Sequence, residues 1–266
     1  MGVRHFFLAT GRTFHYDHPQ IRMLLKGISR RDTLPQRKAP VSIRLLEACF
    51  TRLSLRNPAD QTLWGALCMS FFFLFRRSEI VSVSAGRFRW FAIRAFDVAV
   101  LDAGDVPTLD PIQAASVHVR LRGSKTNQRG SPSLRMLRRS GHKSLCPVLG
   151  ALLMLKAHGS LPSYVPIAVY ENGDGRLGEV SANGVANTIR TAPVSIGHDP
   201  SKFSTHSLRS GGATHMYRAG VDALTIQFHG RWVSDTFKIF TRICSESVAS
   251  LASNMIRGSQ AVSTLP

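Results

Sequence analysis

Thr205-His206-Ser207-Leu208-Arg209-Ser210-Gly211-Gly212, followed by His229-Gly230-Arg231-Trp232 and then Phe237-Lys238-Ile239-Phe240, is the stretch on which the reading of this chain turns. His206 and Arg209 stand three residues apart at the start of a predicted helix, so they share a face and can address one anion together. Leu208, Gly212, Met216 and Ala219 form that helix's apolar stripe. Ser204 or Thr205 is the expected cap at its start, and Gly220 the expected stop. Asp222 is placed to cap a following helix that ends at Gly230. Ser234 is placed to cap another, with Phe237, Phe240 and Cys244 facing inward.

The segments upstream are helical at first and strand-like in the middle. A short amphipathic helix is predicted over Ile21 to Ile28, then a polar linker to Lys38. Two helices are predicted over roughly Val41 to Leu53 and Asp60 to Phe75, with Asn57-Pro58 marking the start of the second. Trp90 to Val100 is rich in Phe, Ile and Val and reads as strand. Val117, Val119 and Leu121 alternate with His118, Arg120 and Arg122, which predicts a strand with one apolar and one cationic face. Gly123 to Gly130 is the turn carrying Lys125, and Ser133 to Arg138 is the returning strand. Helices are predicted again over Pro147 to Ala157, Ser181 to Ala192 and Ser207 to Ala219, with a further helical segment over Ser245 to Ile256. The class expected is mainly α with a small antiparallel β-sheet.

Charge narrows the partners. The chain has 266 residues, 44% of them hydrophobic and 19% charged, a globular composition. Against 16 acids stand 34 Lys and Arg, a formal charge of +18, which favours a polyanion: nucleic acid or an anionic membrane surface. No acid occurs from Pro111 to Tyr170, where Arg120, Arg122, Lys125 and Arg129 fall, and the first 56 residues carry eleven Lys and Arg. Two basic regions suit a protein that grips a duplex from two sides. The apolar run Leu63 to Phe75 is 13 residues long, too short to span a bilayer, so membrane is the weaker candidate. Cys49, Cys68, Cys146 and Cys244 lack metal-ligand spacing, and buried free thiols in a reducing compartment are expected.

In order along the chain stand Phe-Leu-Phe-Arg76-Arg77-Ser78-Glu79, Gly-Ser-Lys125-Thr, His206-Ser-Leu-Arg209-Ser-Gly-Gly and Gly-Arg-Trp232-Val-Ser-Asp. With these motifs the chain resembles the catalytic domain of the tyrosine recombinase, or phage-integrase, family over roughly residues 37 to 257. The likeness is greatest to the eukaryotic mobile-element branch, which has Gly-Arg-Trp before the nucleophile helix. The resemblance implies a catalytic domain over 37–266, with 1–36 the remnant of an N-terminal helical core-binding domain plus linker. It also implies a double-stranded DNA partner, a tetramer on paired sites and chemistry without metal or small-molecule cofactor. The expected location is intracellular, nuclear if the cell is eukaryotic and otherwise cytoplasmic.

The resemblance also assigns roles. Arg76 and Arg209 would clamp the non-bridging oxygens of a phosphodiester, and guanidinium forks suit that geometry. Lys125 would protonate the departing 5′ oxygen, His206 would orient the phosphate, Trp232 would donate its indole N–H, and Glu79 would brace Arg76. Each has a plainer alternative: Arg76 as a helix-end cation, Lys125 as one more surface charge, His206 as a helix-start residue, Arg209 as a solvated helix residue, Trp232 as core. His229 reads as packing or solvent-facing.

Phe240 departs from the pattern. It stands where the family's nucleophilic tyrosine is expected, and Phe has no oxygen with which to form a phosphotyrosyl link. The tyrosines are Tyr16, Tyr164, Tyr170 and Tyr217, none beyond Trp232. Ser234, Thr241 and Cys244 carry nucleophilic atoms on shorter side chains at displaced positions. The expectation is a DNA-binding, tyrosine-recombinase-like protein of mobile-element origin that is defective in strand cleavage. The alternatives are an active recombinase using another nucleophile or a partner's tyrosine, and a general basic nucleic-acid-binding module.

Overall fold

A computed structural model describes residues 3–12, 15, 17–31, 38–84, 86–123, 132–192 and 197–232. The chain divides into two units, Met1–Arg37 and Lys38–Pro266. The first holds α1 (Val3–Ala9) and α2 (Pro19–Arg31). Pro19 opens α2, where a missing N–H leaves no hydrogen bond unmade, and Arg30 and Arg31 close it at the negative end of the helix dipole.

The second unit begins with α3 (Ile43–Phe50), α4 (Pro58–Phe72) and the single turn α5 (Arg77–Ile80). A three-stranded antiparallel sheet follows: β1 (Val98–Leu101), β2 (Ser116–Leu121) and β3 (Ser133–Arg138), in that order. Then come α6 (Pro147–His158), the hairpin β4 (Val169–Glu171) and β5 (Leu177–Glu179), and α7 (Ala182–Thr191), α8 (His206–Arg218) and α9 (Ala223–Gly230). The predicted class, mainly α with small antiparallel sheets, is the class observed.

α4 and α6 form the centre. Both are apolar nearly all round, the pattern of helices enclosed by protein. They pack where Gly65 meets Gly150, and a β-carbon at Gly65 would overlap the Gly150 carbonyl and Met154. Capping sets the starts. Asn57 Oδ1 accepts from Ala59 N at 3.0 Å ahead of α4, and Asp222 Oδ1 accepts from Thr225 N at 2.9 Å ahead of α9. The register of β2, with Val117 opposite Val100 and Leu137, turns Val98, Val100, Val117, Val119 and Leu121 into the core.

Four details differ from expectation. α4 ends at Phe72 rather than Phe75, because Leu74 adopts a left-handed backbone with φ 53° that no helix continues through. Residues 90–97 are not strand. Ala95–Asp97 forms a 3-10 turn, since Asp97 Oδ2 accepts from Arg94 N and draws the backbone round before β1 begins. Thr205 holds the cap position of α8 without a side-chain hydrogen bond, while Ser207 Oγ accepts from Ser204 N at 3.0 Å. The outer sheet face is amphipathic rather than cationic: Arg120 pairs across from Leu134 and His118 from Met136, and both apolar partners are exposed.

Cys49, Cys68 and Cys146 are buried free thiols, and burial raises the Cys49 thiol to about 12 and the Cys68 thiol further. Among the described residues no helix is long and apolar enough to cross a membrane.

Candidate functional site

Burying a charge is costly unless it is paired and hydrogen-bonded. Among the described residues, three of the buried side chains are Glu79, Asp97 and Arg209, at 1%, 3% and 4% exposure. Glu79 and Arg209 lie in the motifs singled out above.

Glu79 uses both carboxylate oxygens. Arg76 Nη1 donates to Oε1 at 2.9 Å, while the Arg76 backbone N donates to Oε2 at 2.8 Å. Arg231 Nη2 donates to the same Oε2 at 2.6 Å. The expected bracing of Arg76 by Glu79 therefore has a second half, because one carboxylate spans two guanidiniums from distant parts of the chain. Arg231 follows Gly230 in a left-handed conformation, φ 59° and ψ 43°, which ends α9 and begins the turn to Trp232. The Arg231 guanidinium also lies 5.7 Å from the centre of the Phe75 ring.

Arg209 comes from the first turn of α8. Its Nη1 donates to the Leu74 carbonyl at 2.9 Å and its Nη2 to the Gly230 carbonyl at 2.5 Å. The left-handed backbone at Leu74 costs about 1–2 kcal/mol and is kept where its carbonyl receives this guanidinium. Trp232 stacks on the other side, with the guanidinium 4.3 Å from the ring centre, a cation–π contact worth up to about 2 kcal/mol when desolvated. Two glycines permit the approach. At Gly212 a β-carbon would fall on the Phe71 carbonyl, and at Gly230 it would fall inside the Trp232 indole.

The electrostatics are unbalanced. Arg76, Arg209 and Arg231 share the field of one carboxylate, an excess of two positive charges. Burial first, then the Arg76 and Arg231 cations, lowers Arg209 to about 9, with Glu79 opposing. Arg231 is lowered by burial against the pull of Glu79, with Arg76 adding repulsion. His206, on the first residue of α8, is open to solvent on one side and crowded on the other. Its imidazole is lowered by that partial desolvation, then by Arg77 and Arg209. A bound anion would relieve each of these repulsions. This arrangement can hold a phosphate; it is a clamp of fixed donors with an imidazole at its edge.

Arg76, Glu79 and Arg209 are thus brought together, with His206 electrostatically coupled to Arg209 and Trp232 stacked on it. Lys125 and Phe240 lie outside the described residues, as do Ser234, Thr241 and Cys244. Tyr217 lies on α8 eight residues beyond Arg209, about 12 Å along the axis. His229 is packed: it stacks near Phe73, and its Nε2 donates to the Phe72 carbonyl at 2.7 Å. Arg231 is the site residue that sequence reading passed over. Its one signal was its place between Gly230 and Trp232. Arg135 of β3 joins the sheet to α9 through the Phe228 carbonyl at 3.0 Å. Among the described residues no group of three His, Cys, Asp or Glu side chains is placed to hold a metal ion.

No protein-family model and no curated protein matches the sequence. Solved structures match in fold. XerH site-specific recombinase, bound to palindromic difH substrate in a post-cleavage complex, is similar with a TM-score of 0.50 and 13% identity over 84% of this chain and 55% of that one. XerA recombinase is similar over 95% of this chain and 80% of that one, with a TM-score of 0.49 and 16% identity. The Tn1549 transposon integrase in complex with circular intermediate DNA gives 0.43 and 13% over 82% and 65%. The chain spans a little over half the length of the XerH chain. The fold is that of tyrosine-recombinase catalytic domains.

Proposed function

We propose that this chain is a tyrosine-recombinase-like protein that holds double-stranded DNA by a backbone phosphate and does not cut it. The observation that carries this reading is the set of three guanidiniums, Arg76, Arg209 and Arg231, around the buried carboxylate of Glu79. A phosphodiester is the anion such a set suits, because its two non-bridging oxygens accept from guanidinium forks. His206 lies at the edge of the set, and the Trp232 ring lies against the Arg209 guanidinium. The charge of +18 supports a nucleic-acid partner. The matched folds belong to a site-specific recombinase and its relatives, which agrees with the motifs. Origin from a mobile-element integrase, action in the nucleus of a eukaryotic cell and assembly as a tetramer on DNA belong to the same proposal.

The cleavage defect rests on Phe240. In the reaction the motifs imply, a tyrosine oxygen attacks phosphorus, a phosphotyrosyl bond forms and the bond to the 5′ oxygen breaks. Lys125 supplies the proton that the departing 5′ oxygen takes up. Phe240 offers no attacking oxygen, and the nearby Ser234 and Thr241 carry theirs on shorter side chains at displaced sequence positions.

The test uses a nicked duplex pool of random sequence, with covalent adducts captured under denaturing conditions. The wild-type protein is expected to bind in a salt-dependent manner and to form no adduct, whereas Phe240→Tyr gains one. Arg209→Ala in the Phe240→Tyr background is expected to abolish it. A robust adduct on the wild-type protein overturns the cleavage defect, and mass spectrometry of that adduct identifies the nucleophile. Absence of salt-dependent binding overturns the DNA reading.

A further inference from the structure

Asp97 is a second buried carboxylate, and its surroundings share two features with those of Glu79. Arg94 precedes Asp97 by three residues, as Arg76 precedes Glu79. In each case the carboxylate accepts from the arginine's own backbone N–H, at 3.1 Å for Arg94 and 2.8 Å for Arg76. In each case arginines from elsewhere complete the set. Arg120 Nε stands 3.0 Å from Asp97 Oδ1, and Arg122 Nε stands 3.0 Å from Oδ2. The guanidiniums of Arg94, Arg120 and Arg122 lie 5.9, 5.2 and 5.3 Å from the centre of the Phe96 ring, which is 42% exposed.

Two guanidiniums on one carboxylate, with a third beside the same Phe96 ring, again leave an excess of two positive charges. Burial lowers the Arg122 pKa first, and Arg94 and Arg120 lower it further against the pull of Asp97. Like charges held this close repel, and an ordinary surface would spread them. Each guanidinium carries more N–H donors than Asp97 and the Ala92 carbonyl take up, which leaves donors for a further acceptor. The two clusters are joined by backbone. Ile93 N donates to the Glu79 carbonyl at 2.8 Å, and Arg122 Nη2 donates to the Ala92 carbonyl at 2.9 Å.

We infer that Arg94, Arg120 and Arg122, gathered on Asp97 and Phe96, form a second phosphate-binding subsite for the same DNA duplex, taking a different phosphate from the one at Arg76 and Arg209. This rests on the DNA-binding reading above. Two clamps built alike and joined by residues 92–94 fix the direction of a duplex as well as its position, because backbone contacts set register and orientation. The subsite carries no chemistry of its own.

The test is the salt dependence of affinity for a duplex of about 30 base pairs, where each phosphate contact adds about 0.9 to the slope of log K against log salt. The double variant Arg94→Gln/Arg120→Gln is expected to reduce the slope by about 1–2. The charge-preserving Arg94→Lys/Arg120→Lys keeps the slope. Arg176→Gln, on the β4–β5 hairpin with its side chain 86% exposed, leaves it unchanged. Phenylglyoxal labelling of the wild-type protein, read by mass spectrometry, supplies a measurement independent of the variants' folding: the duplex is expected to protect Arg94 and Arg120. An unchanged slope in the glutamine variant, or equal labelling with and without duplex, overturns the subsite. If Arg76→Gln weakens binding while either of those results holds, only the subsite falls. If the wild-type protein shows no salt-dependent binding, both readings fall.

Discussion

Glu79 joins two segments of the chain that have no local relation, the turn after α4 and the end of α9. Arg76 is its neighbour in sequence, while Arg231 arrives from 152 residues away. Removing one partner of a buried ion pair leaves the other charge without compensation, which costs about 3–5 kcal/mol. Glu79→Ala is therefore expected to destabilise the protein by that amount in urea denaturation. A double-mutant cycle with Arg231→Met should return a coupling of about 0.5–3 kcal/mol, because the two residues share a bond. Additivity between them would reject the pairing. At this scale the sequence was partly legible. Arg76 and Glu79 three apart could be read as partners, but the second oxygen of Glu79 has no sequence signal. The same spacing at Arg94 and Asp97 was equally visible. Nothing local shows that Asp97 is buried.

α8 and α9 carry the site through glycines and caps. Gly212 lets α8 settle on the carbonyl at the end of α4, which brings Arg209 to Leu74. Gly212→Ala is expected to cost about 1–3 kcal/mol through overpacking, read as a lowered melting temperature. Gly173→Ala, in a turn with nothing within 4 Å, should be nearly neutral. Equal effects at both positions would show that close packing is not what Gly212 provides. The starts of α4 and α9 and the alternation of β2 were legible because caps, prolines and two-residue alternation are local signals. The end of α4 was not. Its apolar pattern runs on through Phe75, while the left-handed turn at Leu74 goes with a long-range bond from Arg209 to its carbonyl.

Across the whole molecule, three histidines bear on stability together. His158, His206 and His229 are all lowered, each first by burial. A base lowered in the folded state binds more protons when unfolded, so stability is fully present above the ordinary value of about 6.5 and is lost as pH falls toward the folded values. The urea midpoint is expected to drop between pH 7.5 and 5.5, and His229→Gln should flatten that decline. A midpoint that rises over this range contradicts the assignment. By itself the sequence determined the class of fold, the basic character of the surface and the identity of the motif residues, because periodicity, charge and spacing are properties of neighbouring residues. Only the tertiary structure decided that Arg231 shares a carboxylate with Arg76, that the Arg209 guanidinium sits over the Trp232 ring and that Asp97 gathers arginines of its own. Those contacts join residues far apart in sequence. They depend on which charges are buried together, and burial is set by the packing of the whole unit.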